Sequence, residues 1–391
     1  MDISLIDYQS TSAAGLDLTA LRQSLASQSS GLRMNDFPRS DLPTWIGRVS
    51  AIDDINLGEW QSRNNALAQI GLTQGTILDN IENLKMKFSQ HRIGLVMGSS
   101  TSSIDRTESA YTDLNDEGLL KFHFQQEKVH NPHAPSLYVA HATGIQGPAL
   151  TINTACSSSA KVFATGARWL QCGIVDAVLV GGVDTLCLSV LHGFDSLQLV
   201  SPNPCRPFDK DRDGINLGEA SGYAILMRKE DTLESTGIEL LGYGESSDAY
   251  HMSHPHPEGL GAKLSMQQAL EKAAIDPSMV DYINLHGTSS RANDRIEGQL
   301  ISQLFPKSTR CSSTKGWMGH TLGAAGITEA IIALDTIKTG IIPGSMNLQQ
   351  LDNDVDITIA AENVQQTVNI TMTNSFGFGG NNCSLIFGRE Q

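Results

Sequence analysis

Two kinds of apolar pattern alternate along this chain of 391 residues. Short unbroken apolar runs at Arg92–Gly98 and Ala177–Gly182 predict strands buried on both faces, and Tyr223–Met227 predicts another. Ala149–Ile152 is a β-favouring run that passes through small residues into Phe163, Ala164, Ala167 and Leu170. Those four recur at helical spacing, so the order there is strand, turn, helix. Nearer the start, Ile3–Ile6 predicts a strand and Leu18–Leu25 a helix. Residues 60–85 predict a helix pair broken near Thr73–Gly75. The polar, Pro-containing Ser27–Pro43 stretch reads as loop, and residues 105–135 declare no element.

The second half repeats this plan. Asp281–His286 predicts a strand ending in Gly287-Thr288-Ser289-Ser290, as Arg92–Gly98 ends in Gly98-Ser99-Ser100-Thr101. Cys311-Ser312-Ser313-Thr314 precedes a Gly/Ala-rich helix at Gly323–Ile337, as Cys156-Ser157-Ser158-Ser159 precedes its own. Strands are predicted again at Val368–Thr373 and Cys383–Gly388. The duplication implies two α/β halves, residues 1–235 and 236–391, packed about a pseudo-twofold axis. No low-complexity linker separates them, so a shared core is expected, with chemistry where the two sets of strand ends meet.

Composition narrows the function. Forty per cent hydrophobic and eighteen per cent charged residues describe an ordinary soluble globular protein. No apolar run approaches the roughly 20 residues of a membrane span, and Met1-Asp2-Ile3-Ser4 lacks a signal-peptide pattern. A cytoplasmic location is expected. The net charge of −15 argues against nucleic acid and anionic membranes, and means that an acidic protein partner needs a local basic patch. The six cysteines, at 156, 172, 187, 205, 311 and 383, are scattered, so neither a zinc site nor a disulfide framework is indicated.

Cys156 stands out because it lies where a strand hands over to a helix. Unpaired N–H groups and the positive end of the helix dipole favour thiolate there, with Ser157 to Ser159 as cap-type side chains. A lone cysteine is more often a small buried apolar residue, and a lone histidine more often structural. Here, however, Cys156 is joined by His286-Gly287-Thr288 with Asn293-Asp294 and Glu297, and by Lys315 to His320 running into Gly323-Ala324-Ala325-Gly326. Asn374 to Asn382 adds a Gly-rich turn between two strands. With no helix following it, that turn suits presentation of a backbone N–H rather than a phosphate. Asp209–Gly222 lacks the oxygen spacing of a calcium loop and reads as a structured loop.

These motifs resemble the β-ketoacyl-acyl-carrier-protein synthases of the elongating Cys-His-His class, the ketoacyl synthase I/II branch of the thiolase superfamily. The likeness rests on Thr154-Ala155-Cys156-Ser157-Ser158, Asp213-Gly214 to Gly222, Ala249-Tyr250-His251-Met252 with Pro257-Glu258-Gly259, His286-Gly287-Thr288, Lys315 to Gly326, and Asn374 to Gly380. It covers about residues 91–388. The resemblance implies a thiolase-type five-layer αβαβα fold and a dimer built through the first half. It implies that Cys156 carries the acyl group and that His286 and His320 promote decarboxylation of a malonyl thioester. The N–H groups of Cys156 and Phe378 form its oxyanion hole. Lys315 and Glu297 form a supporting charged pair, Thr288 and Ser290 contact the carrier's pantetheine arm, and Phe376 and Phe378 belong to a gating loop. No cofactor is implied, the substrates arriving on the phosphopantetheine of acyl carrier protein.

The departures are informative. The N-terminal strand lacks the family's Gly-rich start, the segment from Ser99 to Ala140 is short, and Ser290 stands for a threonine. The helix that often carries several cations for docking an acidic carrier has little beyond Arg63. Arg206, Lys121, Lys128 and Lys210 are the other docking candidates. Docking is therefore weak, or a partner subunit contributes to it, as in the two-subunit ketosynthases of type II polyketide and aryl-polyene pathways. Either a homodimer or a heterodimer with a chain-length-factor-like homologue is expected. The competing readings are a chain-length-factor-like scaffold, against which an intact Cys156 argues, and a thiolase, which needs a second cysteine where Phe378 stands. An initiating Cys-His-Asn synthase needs asparagine at position 320.

Overall fold

The computed structural model describes residues 2–121, 124, 128–232 and 234–390. The strands of the first half are β1 (Ile3–Ser12), β2 (Ile93–Gly98), β3 (Ala149–Ile152), β4 (Ala177–Asp184) and β5 (Ala220–Arg228). Those of the second are β6 (Ile238–Ser247), β7 (Tyr282–Asn284), β8 (Arg310–Ser312), β9 (Ile370–Gly377) and β10 (Asn381–Arg389). The first set is ordered β3-β2-β4-β5-β1 and the second β8-β7-β9-β10-β6, with a short strand Thr358–Ile359 on the far edge.

Strand senses repeat as well. β2 runs parallel to β3 and β4, and β7 runs parallel to β8 and β9. The remaining neighbours within each set are antiparallel. The two sets join at a single residue pair of β1 and β6, Ser4 with Glu239. The duplication read from the sequence is thus one topology used twice.

The helices are α1 (Leu18–Ser27), α2 (Arg63–Leu72), α3 (Ile77–Lys87), α4 (Ile104–Tyr111), α5 (Ala134–Thr143), α6 (Ser158–Gln171), α7 (Leu188–Ser196), α8 (Leu260–Ala273), α9 (Arg291–Leu304), α10 (Lys315–Met318) and α11 (Ala325–Thr339). They complete five layers. Leu67, Ile81 and Val139 of α2, α3 and α5 cover one sheet from outside, and Met266 and Leu300 of α8 and α9 cover the other. Between the sheets lie α6 and α11. Along β4, Ala177 and Leu179 face the outer helices while Val178 and Val180 face the central pair. Both faces being covered, period-2 alternation is invisible and the strand reads as one apolar run. α11 is buried from Ala325 through Ile337 for the same reason.

Three elements exceed or correct the sequence reading. β1 extends to Ser12, well past Ile6, because its polar residues Gln9, Ser10, Thr11 and Ser12 are also buried. The undeclared 105–135 stretch contributes most of α4, while β7 stops at Asn284, short of His286. No helix among the described residues is long and apolar enough to cross a membrane.

The two halves come into close backbone contact where α11 crosses α6. A Cβ on Gly326 would stand 2.3 Å from the backbone nitrogen of Ala160. Helix backbone has no room to yield there. Gly326→Val should therefore lower stability by about 1–3 kcal/mol or more, read as a lower denaturation midpoint, whereas Lys338→Gln at the exposed end of α11 should leave the midpoint nearly unchanged.

Candidate active site

Parallel strands deliver the chemistry to one edge of the molecule. The chain leaves β3 at Ile152 and reaches Cys156 before α6, leaves β7 at Asn284 and reaches His286, and leaves β8 at Ser312 and reaches Lys315. β9 ends at Gly377, so Phe378 arrives beside them. These are the carboxyl ends of the strands, where open α/β sheets place their ligands.

Cys156 sits on a sharp elbow. Ala155 takes a left-handed φ of +52°, a conformation costing roughly 1–2 kcal/mol for a residue with a Cβ. The serines after it do not cap α6, correcting the sequence expectation. Ser157 Oγ donates to the Thr154 carbonyl at 2.9 Å, and Ser158 Oγ donates to the Ala155 carbonyl at 2.6 Å while accepting the Thr154 N–H. Their hydroxyls lace the strained elbow shut. Ser159 Oγ instead accepts the Ile327 N–H of α11 at 2.9 Å, tying the nucleophile's helix to the second half. Gly377 closes over the elbow, its missing Cβ leaving 2.8 Å to the Thr154 carbonyl oxygen.

Cys156 Sγ lies 3.0 Å from His320 Nε2. His320 Nδ1 accepts the Leu322 N–H at 3.2 Å, which leaves Nε2 as the protonated nitrogen, aimed at the sulfur. The His286 and His320 rings stand nearly perpendicular, centroids 5.5 Å apart, and ligating atoms of the three side chains fall within 4.8 Å of one another. The Phe378 backbone N–H also donates toward Cys156.

Burial sets the protonation states. It pushes the Cys156 thiol up to about 11, with the Lys315 charge and the Phe378 N–H opposing it. This reverses the expectation from the helix start: desolvation outweighs the helix dipole. Burial holds both histidines well below 6.5, and the nearby Lys315 charge pushes the same way. At neutral pH the resting trio is a thiol and two neutral imidazoles.

The supporting charges are arranged differently from expectation. Lys315 pairs with Glu329 of α11, not Glu297, and its Nζ also donates to the His286 carbonyl. Glu297 instead accepts the backbone N–H groups of His286 and Gly287, both at 2.8 Å, and so fixes the loop that carries His286. Burial raises both Glu297 and Glu329 to about 7. Asp184, another missed residue, accepts from Ser99, Ser100 and Thr101 and from the Gly323 N–H at 2.6 Å. It clamps the loop after β2 to the approach of α11. A single acid in an otherwise apolar run was the available signal for both Glu329 and Asp184.

A cavity of about 400 Å³ opens beside Cys156, lined by His286, His320, Thr288, Ser290, Phe376 and Phe378 among others. Thr288 and Ser290 share a hydroxyl hydrogen bond of 2.9 Å. Phe376 lies 5.8 Å from the His286 ring, and Phe378 packs against Phe194 of α7, which sequence reading missed.

The docking cations fare less well. Arg63 is largely buried, bonded to Glu219 and to Asp53 at 2.8 Å, so it is no free cation for a carrier. Lys121, Lys128 and Lys210 face Asp113, Glu59 and Asp211. Arg206 keeps a buried Nε without a hydrogen-bond partner, its backbone N–H bound to Ser289.

A doubled α/β topology of five layers, with Cys-His-His at the strand ends, defines a thiolase-fold condensing enzyme. Comparisons agree. The family models described as Beta-ketoacyl synthase, N-terminal domain and C-terminal domain match residues 60–232 and 238–349. The chain is 30% identical over 389 residues to 3-oxoacyl-[acyl-carrier-protein] synthase 2 of Vibrio harveyi, covering 93% of this chain and 92% of the relative. It superposes on a chain of the complex of ketosynthase ApeO with its chain length factor ApeC from Xenorhabdus doucetiae, at TM-score 0.86 and 36% identity, covering 99% and 98%. It also matches a chain of the ishigamide ketosynthase/chain length factor at TM-score 0.91 and 25% identity, with the same coverage. The chain belongs to the β-ketoacyl synthase family.

Because only thiolate is alkylated efficiently, the raised thiol pKa makes Cys156 slow to alkylate at neutral pH. Its iodoacetamide rate, followed by mass spectrometry of the Cys156 peptide, should rise about tenfold per pH unit through pH 9 and 10. A plateau near pH 8.5 would show an unperturbed thiol.

Proposed function

We propose that this chain is the catalytic subunit of a β-ketoacyl-acyl-carrier-protein synthase, joining an acyl group to a two-carbon unit from malonyl-carrier protein. The observation that carries it is Cys156 held 3.0 Å from a histidine Nε2, with a second neutral histidine and a backbone N–H converging on one cavity.

In the first half-reaction the Cys156 sulfur attacks the carbonyl of an acyl thioester. The sulfur–carbonyl bond forms, the carrier's thiol leaves, and it takes away the proton that Cys156 gives up. Negative charge develops on the carbonyl oxygen, which the N–H groups of Cys156 and Phe378 receive. One such donor is worth about 3–4 kcal/mol in other enzymes. In the second half-reaction the malonyl thioester loses CO2, and the electrons of the broken carbon–carbon bond pass to its thioester oxygen. Imidazole N–H groups of His286 and His320 hold that enolate, and neutral rings are the form that can donate without titrating. The enolate carbon attacks the acyl-cysteine carbonyl, the carbon–sulfur bond breaks, and the departing Cys156 thiolate takes a proton from solvent to regain the resting thiol. Two N–H donors satisfy the enolate oxygen, so the scheme calls for no cofactor.

Thr288 and Ser290 are placed to hydrogen-bond the pantetheine arm, and Phe376 and Phe378 to gate the cavity. A partner subunit fits two features. The edge of β3, only partly buried at Leu150 and Ile152, is open to pairing with a second ketosynthase-like chain. That Arg63, Lys121, Lys128 and Lys210 each face an acid also favours a partner that helps to dock acyl carrier protein, with Arg206 as this chain's contribution. The similarity to ketosynthase/chain-length-factor complexes supports a heterodimer in polyketide or aryl-polyene chain elongation, and a homodimer in fatty acid synthesis is the alternative. The cytoplasm suits all of these. A thiolase is disfavoured because Cys383 lies in the inner core on β10, away from the cavity. A non-catalytic scaffold has no use for the strained Cys156 elbow.

His286→Ala separates the half-reactions. Acyl loading of Cys156 should persist, while condensation with malonyl-carrier protein, followed as CO2 release, should fall about 10²–10³-fold. Equal loss of loading and condensation would remove His286 from the decarboxylation step.

A further inference from the structure

The cavity beside Cys156 runs from a buried end to an open one. Cys156, His286 and His320 line it and are buried, whereas Arg291, the first residue of α9, lines it and is exposed. Among the described residues, those of formal charge on its walls are Asp213, Asp248 and Arg291. Both carboxylates are already engaged. Asp213 accepts from Ser201 Oγ at 2.6 Å and Asn203 Nδ2 at 2.9 Å. Asp248 accepts from Asn382 Nδ2 at 2.8 Å and from the His256 N–H at 3.0 Å. The Arg291 guanidinium, by contrast, has no hydrogen bond or ion pair among the described residues. Asp352, whose carboxyl feels the Arg291 charge, is bonded instead to Arg212 Nη1 at 2.5 Å.

This free cation is carried on a fixed backbone. The Arg291 carbonyl accepts from Nη2 of the buried Arg212 at 3.2 Å. The buried Asp294 carboxylate, three residues on, reaches back to accept the Ser289 N–H at 3.2 Å. Arg295, one turn along α9, is exposed and likewise unpaired among the described residues. Two cations four residues apart repel slightly on a helix surface, a cost that an anion between them removes. In a chain of net charge −15, such cations favour a ligand that is anionic at the mouth of the cavity.

The order of groups along the cavity identifies that ligand. A thiol and two imidazoles stand at the closed end, the hydroxyls of Thr288 and Ser290 immediately precede Arg291 in the chain, and its guanidinium stands at the open end. A phosphopantetheine arm carries a thioester, then amides, then a phosphodiester in the same order. Resting on the ketosynthase reading, we propose that Arg291, supported by Arg295, binds the phosphodiester of the carrier's arm. A guanidinium suits phosphate because it offers two parallel N–H donors to its oxygens. The charges of Asp213 and Asp248 on the same walls keep an anion from moving deeper, and so hold the phosphodiester at the mouth. Recognition of the arm itself lets a carrier be engaged by a chain whose other candidate cations mostly face acids.

The test uses full-length Cys156→Ala protein, which lacks the nucleophile, titrated by calorimetry with phosphopantetheine and with pantetheine, which has no phosphate. Phosphopantetheine should bind about tenfold tighter, as one charge-assisted contact provides, and added salt should shrink the difference. Adding Arg291→Gln should remove most of this preference while leaving pantetheine affinity unchanged, and Arg291→Lys should keep part of it. Equal binding of the two probes, no binding of phosphopantetheine, or a preference that survives Arg291→Gln overturns the proposal. An equal loss of both probes in Arg291→Gln also overturns it, since that marks a structural role. No arm of the test depends on acyl transfer, so its failure is separate from failure of the ketosynthase reading, which loading of Cys156 decides.

Discussion

A single buried ammonium, that of Lys315, holds the catalytic elements in register. Its Nζ donates to the His286 carbonyl on one loop and to Glu329 on α11. Removing an ammonium from water costs several kcal/mol unless it is paired and hydrogen-bonded, so the three groups are mutually required. α11 in turn packs on α6 through Gly326 and Ala160 and is fastened to it by the Ser159 hydroxyl. A continuous path therefore runs from the nucleophile's helix to the His286 loop, crossing between the two halves of the molecule.

The same charge acts on the chemistry. It opposes the burial that raises the Cys156 thiol, and it adds to the burial that keeps His286 and His320 neutral. A neutral imidazole donates to an enolate without first losing charge, and an uncharged thiol rests comfortably in a dry pocket. Charge then appears mainly as the reaction proceeds, where the Phe378 N–H and the His320 Nε2–H already point. Preorganised donors of this kind need no reorientation during the reaction.

Much of this was legible in the sequence because burial on both faces leaves a plain signature. The unbroken apolar runs of β2 and β4, and the small-residue turn before α6, locate the strand ends and hence Cys156. What escaped were contacts that depend on distance across the fold. Lys315 could be matched to an acid but not to the right one, since Glu297 and Glu329 lie on different helices at comparable separations along the chain. Arg63 reads as an available cation until Glu219 and Asp53 are seen against it. The thiol's protonation was misjudged because a helix start is visible in sequence whereas complete desolvation is not.

Every step of this chemistry requires Cys156 to carry the acyl group. Intact-protein mass spectrometry of wild type and Cys156→Ala after incubation with a panel of acyl-carrier proteins, each with and without a chain-length-factor-like partner subunit, measures this directly. A mass gain equal to the acyl group on wild type alone, discharged as a β-keto product when malonyl-carrier protein is added, is the predicted result. Wild type left unmodified under every condition, or Cys156→Ala acylated to the same extent, would contradict it.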